Sequence, residues 1–180
     1  MQTTTTTRTY AIDPAHSEVG FTVRHLMISK VRGNFTGFTG TVTLSPDSDI
    51  PATIEGAVDV TSVDTREEKR DGHLRSADFF DVENHPKMTF TSTSITGSGE
   101  DFKATGDLTI RGTTKSVTFK GEVGGHTTDP WGNDRIGFSA TTRINRKDFA
   151  VSFNQALETG GVMVSDEVDI TLEVSAVLQK

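Results

Sequence analysis

Asp13, His16 and Ser17 bring an acid, a base and a hydroxyl nucleophile into one short segment, Asp13-Pro14-Ala15-His16-Ser17. Triad chemistry needs the base held between the other two groups, with the serine raised on a sharp turn. Residues this close in an extended strand entry point in different directions, and no G-x-S-x-G elbow occurs. The segment therefore reads as caps and turn hydrogen bonds. A second group, Arg70-Asp71-Gly72-His73-Leu74-Arg75, stands just ahead of Phe79-Phe80. A guanidinium and an imidazole beside two aromatic rings make a head-group site with a plug. The same charges can instead tie a helical segment to its neighbours through charge-assisted hydrogen bonds. Asp71 suits the tie; Arg70 and His73 suit either role. Asn145-Arg146-Lys147-Asp148-Phe149 poses a similar choice, with Arg146 either meeting an anionic group or capping a strand end.

Metal and redox chemistry find few side chains to use. The chain has no Cys, which removes disulfides, thiolate ligands and thiol nucleophiles. Its five His residues (His16, His25, His73, His85 and His126) never recur at i+2 or i+4, so no strand or helix face carries two imidazoles. Glu83-Asn84-His85-Pro86 reads as a turn. HExxH, GxGxxG and GxxxxGK[ST] are all missing. No catalytic residue, metal or cofactor is expected.

The 180 residues suit one domain able to bury its own core, Tyr10 to Lys180, behind a polar, flexible Met1–Thr9 tail. A net charge of −7 argues against a nucleic-acid partner, which needs a basic face to displace counterions. No apolar run approaches the roughly 20 residues of a membrane-spanning helix. Met1–Thr9 has no apolar signal core, so the expected location is cytoplasmic unless a precursor segment has been removed.

Positioning these groups falls to β-strands. Thr, Val, Ile and Phe dominate, and apolar and polar residues alternate. Val168, Ile170, Leu172, Val174 and Ala176 oppose Asp169, Thr171, Glu173 and Ser175. Similar alternation over about 17–26, 34–45, 52–61, 87–95, 102–111, 116–123 and 136–144 brings the total to eight strands. Short Gly- and Asp/Ser-rich links favour an antiparallel meander. Only Ser62–Pro86 breaks the pattern, with two short helical turns expected at Thr65–Arg70 and Ser76–Phe80, between the third and fourth strands. Those turns cannot cover eight apolar faces. The sheet must close into a barrel or fold into two layers, and closure, which also removes free edges, is preferred.

Inward parity selects Phe21, Val23, Val58, Val60, Phe90, Leu108 and Ile110, then Phe119, Phe138, Ile170 and Leu172. His25 continues the parity of Phe21 and Val23. Between these lie small residues: Gly56, Ser92, Ser94, Ala104, Gly106, Gly121, Ala140 and Thr142. The mixture suggests a narrow, dry lumen for a slim apolar ligand, although small residues also let strands bend. Gly106→Leu or Ala140→Phe would then block the lumen of a folded barrel.

The order of several motifs resembles the YceI-like polyisoprenoid-binding family. They are Tyr10-x-Ile12-Asp13-Pro14-x-His16-Ser17, Val19-x-Phe21-x-Val23-x-His25-Leu26 and Gly33-x-Phe35, then Arg70-Asp71-x-His73-Leu74-x-Ser76-x-Asp78-Phe79-Phe80-Asp81. Pro86-x-Met88-x-Phe90-x-Ser92, Gly106-x-Leu108-Thr109-Ile110-Arg111-Gly112 and Ile144-Asn145-Arg146-x-Asp148-Phe149 follow. The resemblance implies an all-β, extended lipocalin-like barrel of eight antiparallel strands, often a homodimer. It implies a non-enzymatic carrier or store of a polyisoprenoid or quinone-like lipid, in some members exported. It assigns no head-group residues. From position we expect the inward residues above, with Phe35, to line the lumen, and Arg70, His73, Phe79, Phe80 and Arg146 to form the mouth. The competing readings are a prenyl-lipid enzyme using His73 with Asp71 or Arg70, and a filled barrel serving as an interaction module.

Overall fold

A computed structural model describes residues 6–155 and 163–180. Among these described residues eleven strands occur: β1 (Arg8–Ile12), β2 (Glu18–His25), β3 (Ser29–Phe35), β4 (Phe38–Leu44), β5 (Pro51–Asp59), β6 (Val63–Asp64), β7 (Lys87–Ser98), β8 (Asp101–Ile110), β9 (Thr113–Thr128), β10 (Asp134–Asn145) and β11 (Glu167–Leu178). One helix, α1 (Glu68–Arg75), lies between β6 and β7, and three 3-10 turns cover Pro14–His16, Val60–Ser62 and Arg146–Phe149. All pairings are antiparallel. Strands β1, β4, β5, β7, β8, β9, β10 and β11 close into a ring of eight, as β1 pairs with both β4 and β11. The eight-stranded barrel of the sequence reading is the observed fold.

The three additional strands arise from breaks. β1 and β2 are two lengths of one strand against β11, interrupted at Asp13–Ser17. β3 and β4 are parted at Thr36-Gly37, and β5 and β6 at Val60–Ser62. All three breaks lie at one level. Asp59 N donates to Gly37 O at 2.8 Å, and Thr36 N to Ser62 O at 3.4 Å. Each interruption satisfies its own backbone. Asp13 caps one 3-10 turn by accepting from Ala15 N, Asp59 caps another by accepting from Thr61 N, and Ser62 Oγ accepts from Gly37 N. Asp13 and His16 are thus turn-formers, joined at 2.7 Å. The expected tail through Thr9 is too long, because Arg8 and Thr9 already pair with Leu44 and Thr43; residues 1–5 lie outside the described residues.

The charged interruption holds one helix rather than two. Glu67 caps α1 by accepting from Arg70 N, and Ser76–Phe80 is a chain of turns. Among the described residues no helix is long and apolar enough to cross a membrane.

The two ends of the barrel differ. At one end Tyr10, Val42, Leu44, Phe102, Val123, Ile136, Phe138 and Ala176 form a compact plug. At the other, α1 and the 3-10 turn after β10 cover the opening with Phe79, Phe149 and Val151. Beside the plug, Arg135 donates to Asp129 Oδ2 at 2.7 Å and to Asp13 Oδ2 at 2.9 Å, tying the β9–β10 turn to the break in the first strand. Hydrogen bonds from His16 and Arg135 hold the Asp13 carboxyl down at about 2, and Arg135 lowers Asp129 as well. A carboxylate whose folded pKa lies below its unfolded value stabilises above that unfolded value, and the contribution is lost as pH falls through the folded one. Stability should therefore drop between about pH 4 and pH 2. Urea midpoints at pH 6 and pH 3 should separate less in Arg135→Gln than in the native chain; equal separations would sink the assignment.

Candidate functional site

Between plug and cover lies a cavity of about 250 Å³ with an almost wholly carbon wall. Ile12, Val42, Ile54, Phe102, Phe138 and Val174 reach it from the plug end. Leu74, Phe79, Phe80, Phe149, Val151 and Val164 close it from above. Of the expected lumen residues, Phe21, Val23, Phe35, Val58, Phe90, Leu108, Ile110, Phe119, Phe138, Ala140, Ile170 and Leu172 lie on its wall. Val60 and His25 do not. Val60 sits in a 3-10 turn, where the period-two parity ends, and packs with Phe35 and Val63. His25 is the last residue of β2 and bridges to Val164, a wall residue, without bordering the cavity itself.

Small inward residues are less empty than their sizes suggest. A Cβ on Gly106 would meet the Phe90 ring at 2.6 Å and the Thr91 carbonyl, while Gly121 lies directly under the Phe102 ring. The missing side chains are replaced by aromatic rings from the adjacent strand. Ser94 faces out, because a bulge between Ser92 and Ser94 shifts the parity and turns Ile95 toward the plug. Thr142 donates its hydroxyl to Thr118 O. Gly56, Ala104 and Ala140 do border the cavity.

The mouth is assembled by groups whose donors face the protein. Asp71, buried, accepts from Thr65 N at 2.9 Å and from Thr65 Oγ1. Arg70 donates to Thr65 Oγ1 at 2.7 Å and Thr65 O at 2.6 Å. His73 bonds Asp78 Oδ2 at 2.9 Å, and its ring stands edge-on to Phe79 (4.9 Å) and Phe153 (5.2 Å). Arg70 and His73 therefore brace the cover from outside the cavity, a correction to their expected place at the mouth. Phe79, Phe80 and Arg146 do border it.

Arg146 is 5% exposed. Its Nε donates to Ser165 O at 2.9 Å, its Nη1 to Val151 O and Phe153 O at 2.7 and 2.8 Å, and its Nη2 to Val164 O at 3.3 Å. Burial pulls its pKa down, and Asp166, 3.8 Å away, pulls it back. It organises the covering loop. Arg111 does the same for the cover as a whole, donating to Ala150 O at 2.9 Å and Ala77 O at 2.8 Å, one carbonyl in each covering segment. For Arg146 this is the capping alternative of the sequence reading; the tie made by Arg111 has no counterpart there, since a single Arg beside a turn carries no periodic signal. Phe149, Phe153, Leu74 and Met88, also unforeseen, complete the cluster.

The profile of the YceI-like domain family matches residues 10–176. The chain belongs to that family. Protein YceI of Escherichia coli is 40% identical over 173 residues, 95% of this chain and 87% of that one. The crystal structure of Burkholderia cenocepacia BcnA superposes with a TM-score of 0.79 at 25% identity, covering 91% of this chain and 98% of that one. A polyisoprenoid binding domain from Saccharophagus degradans, implicated in plant cell wall breakdown, shares the fold with a TM-score of 0.71 at 16% identity, covering 94% and 98% of the two chains. In this YceI-like barrel the wall offers shape and apolar contact. Among the described residues no three His, Asp or Glu side chains gather as a metal site. Its chemistry is that of a solvent for hydrocarbon.

Proposed function

We propose that this protein binds a long-chain polyisoprenoid or isoprenoid-quinone-like amphiphile without transforming it, holding it for transport or storage. The observation that carries this is the apolar cavity inside the barrel, walled by strand residues and covered by aromatic rings. The binding domain named for polyisoprenoids in S. degradans supports the same class of cargo. Burying one CH₂ contributes about 0.8 kcal/mol, so a five-carbon isoprene unit contributes about 3–4 kcal/mol. A few units offset an association cost of about 4–15 kcal/mol. The enzymatic alternative needs Arg70, Asp71 and His73 free to meet a substrate, whereas all three are engaged in bracing the cover.

Native mass spectrometry of the purified protein, followed by organic extraction, tests the proposal. A discrete adduct extracting as a prenyl lipid is expected. A mass that stays unliganded through titration with prenyl alcohols and quinones of several lengths would overturn it.

A further inference from the structure

The hairpin joining β2 to β3 ends in Leu26-Met27-Ile28, which are 37, 50 and 85% exposed. Among the described residues the only other exposed large apolar side chain is Trp131, in a loop at the plugged end. Leu26 and Met27 both have positive φ (55° and 61°), and Ile28 N donates to His25 O, closing a tight turn. Both central residues lie in the left-handed region, where Asn and Gly are at ease and branched or long side chains are strained. Two apolar residues thus stand at a tip where neither solvation nor backbone preference favours them.

Charge surrounds that tip in a particular way. The chain is net −7, yet no acidic residue occurs between Glu18 and Asp47, a span holding Arg24, Lys30 and Arg32. Arg24 pairs with Lys30 and Thr22 with Arg32, so the three cations share one face of the hairpin, and all are exposed. Among the described residues none of the three forms an ion pair; Asp169, the acid facing Lys30, is held by Arg143 at 2.7 Å. Asp47, Asp49, Glu100 and Asp129 lie in loops at the opposite end, where Asp101 and Asp134 open β8 and β10, while in and just before β11, the strand beside the hairpin, Asp166, Glu167 and Asp169 are paired with Lys147 and Arg143. The hairpin is also continuous with the cavity. Val23 borders the cavity, as does Val164, which bridges His25, and Leu26 N donates to Met163 O at 2.8 Å.

We propose that Leu26-Met27-Ile28 is a membrane-docking tip, entering the surface of a bilayer rich in anionic lipid while Arg24, Lys30 and Arg32 meet the head groups. Apolar side chains below and cations above match the order of acyl chains and phosphates at such a surface. The acidic loops then point to water, and the mouth of the cavity faces the membrane. Docking of this kind is separate from cargo binding and does not depend on the cargo's identity.

Sedimentation of the full chain with phosphatidylcholine vesicles, with and without one quarter phosphatidylglycerol, tests it. The vesicles contain no isoprenoid lipid, so failure here leaves the cargo reading to its own extraction test. Binding to the anionic vesicles is expected, weakened at least tenfold in 0.5 M salt. Leu26→Asn with Met27→Gly places the favoured turn residues at the tip; it should melt no lower than the native chain yet bind at least tenfold more weakly. Arg24→Gln with Lys30→Gln should lose the preference for phosphatidylglycerol. In a Trp131→Phe background, the emission of Ile28→Trp should shift to the blue on adding anionic vesicles. Equal sedimentation of native and turn variants, or an unshifted emission, overturns the proposal. So does a dimer that dissolves in the turn variant while no vesicle binds, which would give the tip to a second copy of this chain.

Discussion

Replacing Arg146 with methionine is expected to cost about 3–5 kcal/mol, the usual result of removing one member of a buried charged cluster. Methionine keeps most of the volume. It leaves the carbonyls of Val151, Phe153 and Ser165 without their donor, each buried orphan costing about 1–3 kcal/mol, while Val164 O keeps the Asn154 amide at 2.7 Å. It also leaves the Asp166 carboxylate with Lys147 as its remaining counter-charge, 3.3 Å away. Arg146→Lys should recover only part of the loss, since an ammonium cannot span four carbonyls as the planar fork does. Urea titration gives the magnitude. Amide exchange should show where it falls, with Val151–Phe153 and Val164–Asp166 opening before the β10–β11 ladder. A variant within about 1 kcal/mol of the native chain would show that the loop holds itself.

Ala140→Phe should leave the barrel folded while lowering affinity for a prenyl lipid by about a hundredfold or more. Ala140 lies in β10 between Leu172 and Gly121 and borders the cavity, so a ring there occupies volume that the tail would use. Displacing one isoprene unit forfeits about 3–4 kcal/mol, which is over two orders of magnitude in Kd. The structural cost of an added ring in a cavity is smaller than the usual 1–3 kcal/mol of overpacking. Fluorescence competition with a prenyl-lipid probe measures the affinity, and a thermal melt reports the fold. Native affinity in a folded Ala140→Phe protein would remove the cavity from the binding reaction. Gly106→Leu cannot serve as a second plug, because the Thr91 carbonyl and the Phe90 ring already occupy its side-chain direction.

That contrast marks how far the sequence can be read. Alternation located β2, β4, β5 and β7 through β11 because each has one wet face and one dry face. It missed β1 beneath a Thr-rich start, and β3, where Lys30, Arg32 and Gly33 obscure the apolar parity. It could not see that three strands break at one level, nor that the 3-10 turn at Val60–Ser62 moves Val60 out of register. Gly106 and Ala140 look alike as letters. Only the position of Phe90 distinguishes a place already filled from one still open. The mouth was legible as a segment and not as a mechanism: every acceptor of Arg146 and one of Arg70 is a backbone carbonyl, which every residue possesses and no sequence motif records, and nothing in the spacing of His73 and Asp78 marks them as partners.

Tyr10, Leu44 and Ile136 stop the far end of the barrel so completely that the tube is a cul-de-sac. On the proposed reading, a cargo with a long tail would back in, hydrocarbon leading and polar end last, and would depart by retracing the same route. Such a vessel would not thread its contents from one side to the other. Net direction would then rest with what waits outside the door, a richer donor at one visit and a hungrier acceptor at the next.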